Sequence, residues 1–148
     1  MKLITSVGKA LALLASCQLM LGCSEPLPEV SAHDVFIFEL PPDKTSAAAY
    51  LTLKNNSERM HALNYVHSSK AEWVEIRHSF HRQGTMESKA VKRLRVSPGE
   101  IKQLKPGSFH LMVFGLYDAL KAGEHFDITL EFETGHVIET QVEVRSRN

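Results

Sequence analysis

The chain has 148 residues, 43% of them hydrophobic, with 17 basic and 17 acidic side chains and two cysteines. A net charge of zero leaves no electrostatic footprint for nucleic acid and no polybasic patch for a membrane surface. Both cysteines, Cys17 and Cys23, fall near the N-terminus. The rest of the chain can therefore build no disulfide framework, zinc–thiolate site or cysteine nucleophile.

Lys2 and Lys9 accompany an apolar stretch over residues 10–21, which closes on Leu19-Met20-Leu21-Gly22-Cys23. A short positive region, an apolar run too short to span a bilayer comfortably and a small residue before cysteine form a bacterial lipoprotein export signal. The expectation is a signal peptide over residues 1–22, with Cys23 as the acylated first residue of the mature chain. Leu14-Ala15-Ser16-Cys17 offers a second lipobox with a shorter apolar core. The implied location is the cell envelope, facing the periplasm and anchored to a membrane through the lipid. Removing residues 1–22 leaves 126 residues with 15 basic and 17 acidic side chains, enough for one domain with a proper core. Residues 23–33, with Pro26 and Pro28, read as the lipidated cysteine and a tether, and residues 34–148 as a single domain.

From Asp34 onward, strand periodicity and turn signals alternate. Residues 35–38 stop before Pro41-Pro42, residues 48–53 end at Asn55-Asn56-Ser57, and residues 62–66 give a weaker pattern. Residues 72–80 alternate clearly, residues 91–96 run into Pro98-Gly99, and residues 101–104 run into Pro106-Gly107. A strand over residues 109–116 and a helical turn over residues 116–120 follow. Residues 126–132 and 137–144 then read as a hairpin around Thr134-Gly135. Short strands at this spacing without a sustained helical period predict an all-β, Greek-key sandwich.

The alternation sorts the histidines. His78 shares a face with Val74, Ile76 and Phe80, and reads as a core or core-edge residue. His81 joins Trp73, Glu75, Arg77 and Ser79 on the more polar face near Gln83-Gly84, where a ligand role competes with a solvated loop histidine. In the strand over residues 109–116, His110 and Met112 share one face while Phe109, Leu111 and Val113 share the other. An imidazole nitrogen beside a thioether sulfur suits Cu(I), although plain packing in an apolar strand competes with it. His33, His61, His67, His125 and His136 show no paired ligand spacing. Glu72 with Glu75, and Glu131 with Glu133, read as solvated carboxylates. No nucleophile–base pair, zinc-protease motif or phosphate-cradling glycine loop is present in the sequence, and none of its residues suggests an enzyme.

Several segments resemble the PCu(A)C periplasmic copper chaperones: Ala47-Ala48-Ala49-Tyr50-Leu51-Thr52-Leu53-Lys54-Asn55, Val74-Glu75-Ile76 and Leu104-Lys105-Pro106-Gly107. So do Phe109-His110-Leu111-Met112-Val113-Phe114-Gly115-Leu116, Leu120-Lys121-Ala122-Gly123-Glu124, Phe126 and Leu130-Glu131-Phe132. The likeness runs in order from about residue 47 to residue 144. It implies a cupredoxin-like, Ig-like sandwich that binds Cu(I) through His and Met. It also implies copper delivery to the Cu(A) centre of cytochrome c oxidase, with oxidase assembly factors as partners. The family's ligand pattern is a His, ten residues, a Met, twenty-one residues and His-x-Met. Its closing pair falls on His110 and Met112, but Arg77 stands where the family has His and Ser88 where it has Met. Serine offers only a weak hard oxygen, and arginine is a permanent cation. His81 and Met86 lie close by with matching strand parity. A shifted donor set of His81, Met86, His110 and Met112 therefore competes with a weak two-ligand site and with a domain that has lost copper and serves as an interaction module.

Overall fold

The computed structural model describes residues 27–147. The export signal, Cys17 and Cys23 lie outside the described residues. The strands are β1 (Val30–Phe38), β2 (Ser46–Asn55), β3 (His61–His67), β4 (Ala71–Arg82) and β5 (Thr85–Ala90). They continue as β6 (Leu94–Val96), β7 (Ile101–Leu104), β8 (Phe109–Leu116), β9 (His125–Phe132) and β10 (Val137–Arg145). The hydrogen-bonded order is β5-β4-β8-β2-β1-β10-β9-β3-β6, and β7 pairs with β2 beyond the end of β8. Every pairing is antiparallel except β1 with β10. The two halves of this ladder close on a single apolar core that includes Ile37, Leu51, Leu111 and Val113 from one half and Leu63, Ile128, Leu130 and Val142 from the other. This is the expected all-β, cupredoxin-like sandwich.

Strand β9 shows how the pattern makes the fold. Phe126, Ile128, Leu130 and Phe132 are buried on one face, while His125 and Asp127 are exposed on the other. In β1 the inward set changes parity, from Val30 and Ala32 to Val35 and Ile37. A β-bulge between His33 and Phe36 achieves the change, with Asp34 in the left-handed region at φ 49°. Aspartate tolerates that conformation better than most residues with a Cβ.

Three expectations need correction. The sheet starts at Val30, not at Asp34, because Val30 is 1% exposed and pairs with Asn55; the bulge broke the alternation that would have revealed it. Residues 116–120 make no helical turn, and Leu116 is the last residue of β8. Leu120 instead forms an isolated antiparallel bridge with Leu40, which satisfies backbone groups of both. Residues 91–96 yield only the three-residue β6, while the strand β5 lies just upstream with all six residues exposed.

Candidate metal centre

Strand register assembles the site. Strand β4 pairs with β8 so that Arg77 faces His110 and Glu75 faces Met112, and with β5 so that Ser79 faces Ser88 and His81 faces Met86. Directly opposed residues share a face with their Cα atoms about 5 Å apart. Glu75, Arg77, His81, Met86, Ser88, His110 and Met112 therefore all occupy one face of the β5-β4-β8 sheet. It is the face turned away from the core, since the intervening Leu111 and Val113 are fully buried.

His110 is 8% exposed despite its position on the outer face. Its Nδ1 lies 3.2 Å from the carbonyl oxygen of Ser108. A carbonyl only accepts, so the proton of the neutral ring belongs on Nδ1, and Nε2 is the nitrogen with a lone pair to offer. This is the arrangement in which a backbone carbonyl prepares imidazole for a metal. Met112 is half-buried two residues along, which brings a soft sulfur to the same surface.

Arg77 and Ser88 do not fit a soft metal, and the structure shows what they do. The Arg77 guanidinium donates from Nε to Ser88 Oγ at 3.1 Å, from Nη2 to the Ser88 carbonyl at 2.8 Å, and from Nη1 to Glu75 Oε2 at 2.7 Å. A planar fork with several donors suits this triple contact in a way that lysine would not. Of the two positions where the family has ligands, Arg77 lies opposite His110 and Ser88 lies one strand further on β5, opposite Ser79, and hydrogen bonds join them. Glu75, set aside in the sequence as a solvated carboxylate, turns out to face Met112 and to accept from Arg77. Its position two residues before Arg77 on a regular strand carried that signal.

His81 and Met86 form a second pair. His81 lies four residues along β4 from the residue facing His110, about 13 Å, and six from the residue facing Met112, about 20 Å. Met86 reaches back further than its Cα position suggests. Its Cε would lie 3.9 Å from a Cβ placed on Gly107, which has φ 77° in the turn that leads into β8. The structure thus brings together His110 with Met112, and His81 with Met86, with the Arg77 network between the two pairs. Among the described residues, no group of three or more His, Cys, Asp and Glu side chains converges as a metal cage.

Aromatic rings extend the same face. Trp73 stacks on Phe114 with centroids 5.2 Å apart and planes at 18°, one step beyond Glu75 and Met112. Across β2 and β1, Tyr50 packs on Phe36 at 5.4 Å and Phe38 at 6.3 Å. Burial pushes the Tyr50 hydroxyl above its ordinary pKa, an effect partly offset by Arg147. On the core side of β4, His78 stacks against Phe109 at 4.3 Å, which agrees with a core-edge histidine.

A core-packed β-sandwich with a histidine and a methionine side by side on the outer face of one sheet defines the class: a PCuAC-type, cupredoxin-like domain. The copper-bound PCuAC domain from PmoF2 superposes with a TM-score of 0.67 at 17% identity, over 80% of this chain and 94% of that one. The CuI-DR1885 solution structure from Deinococcus radiodurans gives a TM-score of 0.67 at 26% identity, over 84% of this chain and 83% of that one. The protein belongs to the LpqE-like family, described as "Putative lipoprotein LpqE-like", whose model matches residues 30–144. A relative from Leifsonia xyli subsp. xyli, "Putative lipoprotein Lxx21020", is 26% identical over 145 residues, 95% of this chain and 87% of that protein.

Proposed function

We propose that the protein is a cell-envelope copper(I) carrier, anchored to a membrane through a lipid on Cys23, with residues 1–22 removed as its export signal. His110 and Met112 supply the first two donors. The observation that carries this reading is the His110 imidazole, whose Nε2 lone pair is left free by the Nδ1 contact to Ser108 and shares its face with a thioether. The likeness to the copper-bound PmoF2 domain and to CuI-DR1885 supports copper as the cargo. Nitrogen and sulfur without thiolate suit Cu(I) in an oxidising compartment, where free cysteines would be lost to disulfides. Met86 and His81 complete the donor set when the β4–β5 hairpin bends toward β8. The carrier binds and hands over metal and catalyses no reaction. The Cu(A) site of cytochrome c oxidase, with its assembly partners, is the proposed destination.

A second reading has its own observation. The Glu75–Arg77–Ser88 network holds a permanent cation across from His110, and such a charge opposes a bound metal ion. On that reading the domain keeps the sandwich as an interaction module without copper. Titration of Cu(I) against a chromophoric chelator separates the two. The carrier reading expects wild-type protein to compete and His110→Ala/Met112→Ala to lose at least about a hundredfold in affinity, the worth of some 2.7 kcal/mol. Equal, weak competition by both proteins would sink it. In the same assay, Met86→Ala and His81→Ala each weaken binding if the hairpin contributes ligands. Unchanged affinity in both leaves His110 and Met112 as the whole site.

A further inference from the structure

A cleft of about 580 Å³ opens beside the Leu40–Leu120 bridge, away from the His110–Met112 pair. Two tight turns frame it. Lys44 N–H closes onto the Pro41 carbonyl at 3.1 Å in the β1–β2 connection, and Glu124 N–H onto the Lys121 carbonyl at 3.1 Å in the β8–β9 connection. Leu40, Pro41 and Leu120 give the cleft an apolar lining, and Lys44, Lys121 and Arg147 bring three cations to it.

Those cations are poorly compensated. Glu39 is the one acidic residue among the lining, and its Oε1 already accepts from Ser146 Oγ at 3.1 Å and from the Arg147 backbone N–H at 3.3 Å. Lys44 meets only the exposed Asp43, its chain neighbour, at 3.7 Å. Lys121 Nζ takes part in no ion pair among the described residues. The Arg147 guanidinium rests over the Phe38 ring at 5.7 Å, a contact that leaves its N–H groups available. An apolar lining with convergent cations is a site for a ligand that has one anionic head and a hydrocarbon tail, and the volume lies in the range of small-molecule pockets.

We infer that this cleft binds an amphipathic carboxylate of medium chain length, with its head between Lys44, Lys121 and Arg147 and its tail along Leu40, Pro41 and Leu120. The site acts independently of copper. Decanoate, used as monomer, is the probe, read by amide chemical shifts on the 15N-labelled protein. Saturable shifts at Leu40, Leu120, Lys121 and Ala122 are expected. Affinity should climb from hexanoate to decanoate by up to about fourfold per added methylene, since each contributes some 0.8 kcal/mol on full burial.

Lys44→Gln/Lys121→Gln should weaken decanoate at least about tenfold by removing two charge-assisted contacts, with the remaining amide spectrum unchanged. Decyltrimethylammonium tests the sign of the head group and should leave the cleft amides unmoved. Comparable binding of that cation, full affinity in the lysine variant, or shifts centred on Phe36 and Tyr50 would each overturn the inference. Phosphatidylglycerol vesicles form the remaining arm. A response to vesicles without a response to monomeric decanoate would assign the cleft to a membrane surface and reject the monomer site.

Discussion

At Arg77 the chain commits three guanidinium donors to Glu75 and Ser88, directly across the sheet from His110. Arg77 sits opposite His110 on β8 and reaches Ser88 on β5, so one side chain spans the three strands on which a four-donor site would be built. Arg77→His with Ser88→Met should raise Cu(I) affinity at least about tenfold over wild type, since the two added ligands together need contribute only about 1.4 kcal/mol. Arg77→Gln alone removes the opposing charge without adding a donor and should give a smaller gain, one that shrinks at high salt. Chelator competition on the three proteins, at two ionic strengths, separates ligation from electrostatics. No gain in the double variant would mean that positions 77 and 88 cannot converge with His110 and Met112 on one metal ion. The sequence displayed Arg77 and Ser88 as replaced ligands. It did not display their contact, because that contact rests on the pairing of β4 with β5, and β5 carries no apolar alternation to mark it as a strand.

Elements with one dry face were readable from alternation, as β9 and the β9–β10 hairpin around Thr134-Gly135 illustrate. Those wet on both faces were not. Thr85–Ala90 is exposed at every residue and is a strand only because the turn at Gln83-Gly84 folds it back onto the edge of β4 opposite β8. The helical turn expected over residues 116–120 failed for a different reason, as a tertiary bridge to Leu40 overrode a weak local preference. Asn55, at the end of β2, illustrates what holds these short elements together. It is fully buried, and its Nδ2 donates to the carbonyls of Arg59, Val96 and Ser97 at 2.6, 3.0 and 3.0 Å. Its Oδ1 accepts from the Ser57 N–H and Oγ at 3.0 and 2.8 Å. The sequence presented Asn55-Asn56-Ser57 as a turn; the structure makes it the clamp between β2, β3 and β6. Asn55→Ala should cost about 2–4 kcal/mol, because it strands several buried acceptors at once. Urea unfolding at constant m-value is the measurement, and a loss under about 1 kcal/mol would mean that water replaces the amide.

Across the whole molecule, the end where β1 begins carries a buried titratable group that couples distant parts of the chain. His61 is fully buried on β3, with Nδ1 2.9 Å from Thr134 Oγ1 and Nε2 3.1 Å from Ser57 Oγ. Glu29 lies 3.5 Å from Nε2, and the His136 ring is 6.1 Å away by centroid. Burial lowers the His61 pKa from its ordinary 6.5; Glu29 pulls it back up, while His136 and Arg59 add to the lowering. The folded state therefore holds this proton less readily than the unfolded chain. Its stabilising contribution is complete above the ordinary value and disappears as the pH falls through the lower folded value. Acidification from pH 7.5 toward pH 5 should weaken the whole sandwich, with this residue adding at most about 1.4 kcal/mol per pH unit to the slope. His61→Gln keeps polar atoms near Ser57 and Thr134 but cannot titrate. Its urea midpoint should start lower and then fall less steeply with pH than that of wild type. Parallel pH profiles for the two proteins would assign the acid sensitivity to other groups and leave His61 a purely structural link between the start of β1, β3 and the β9–β10 hairpin.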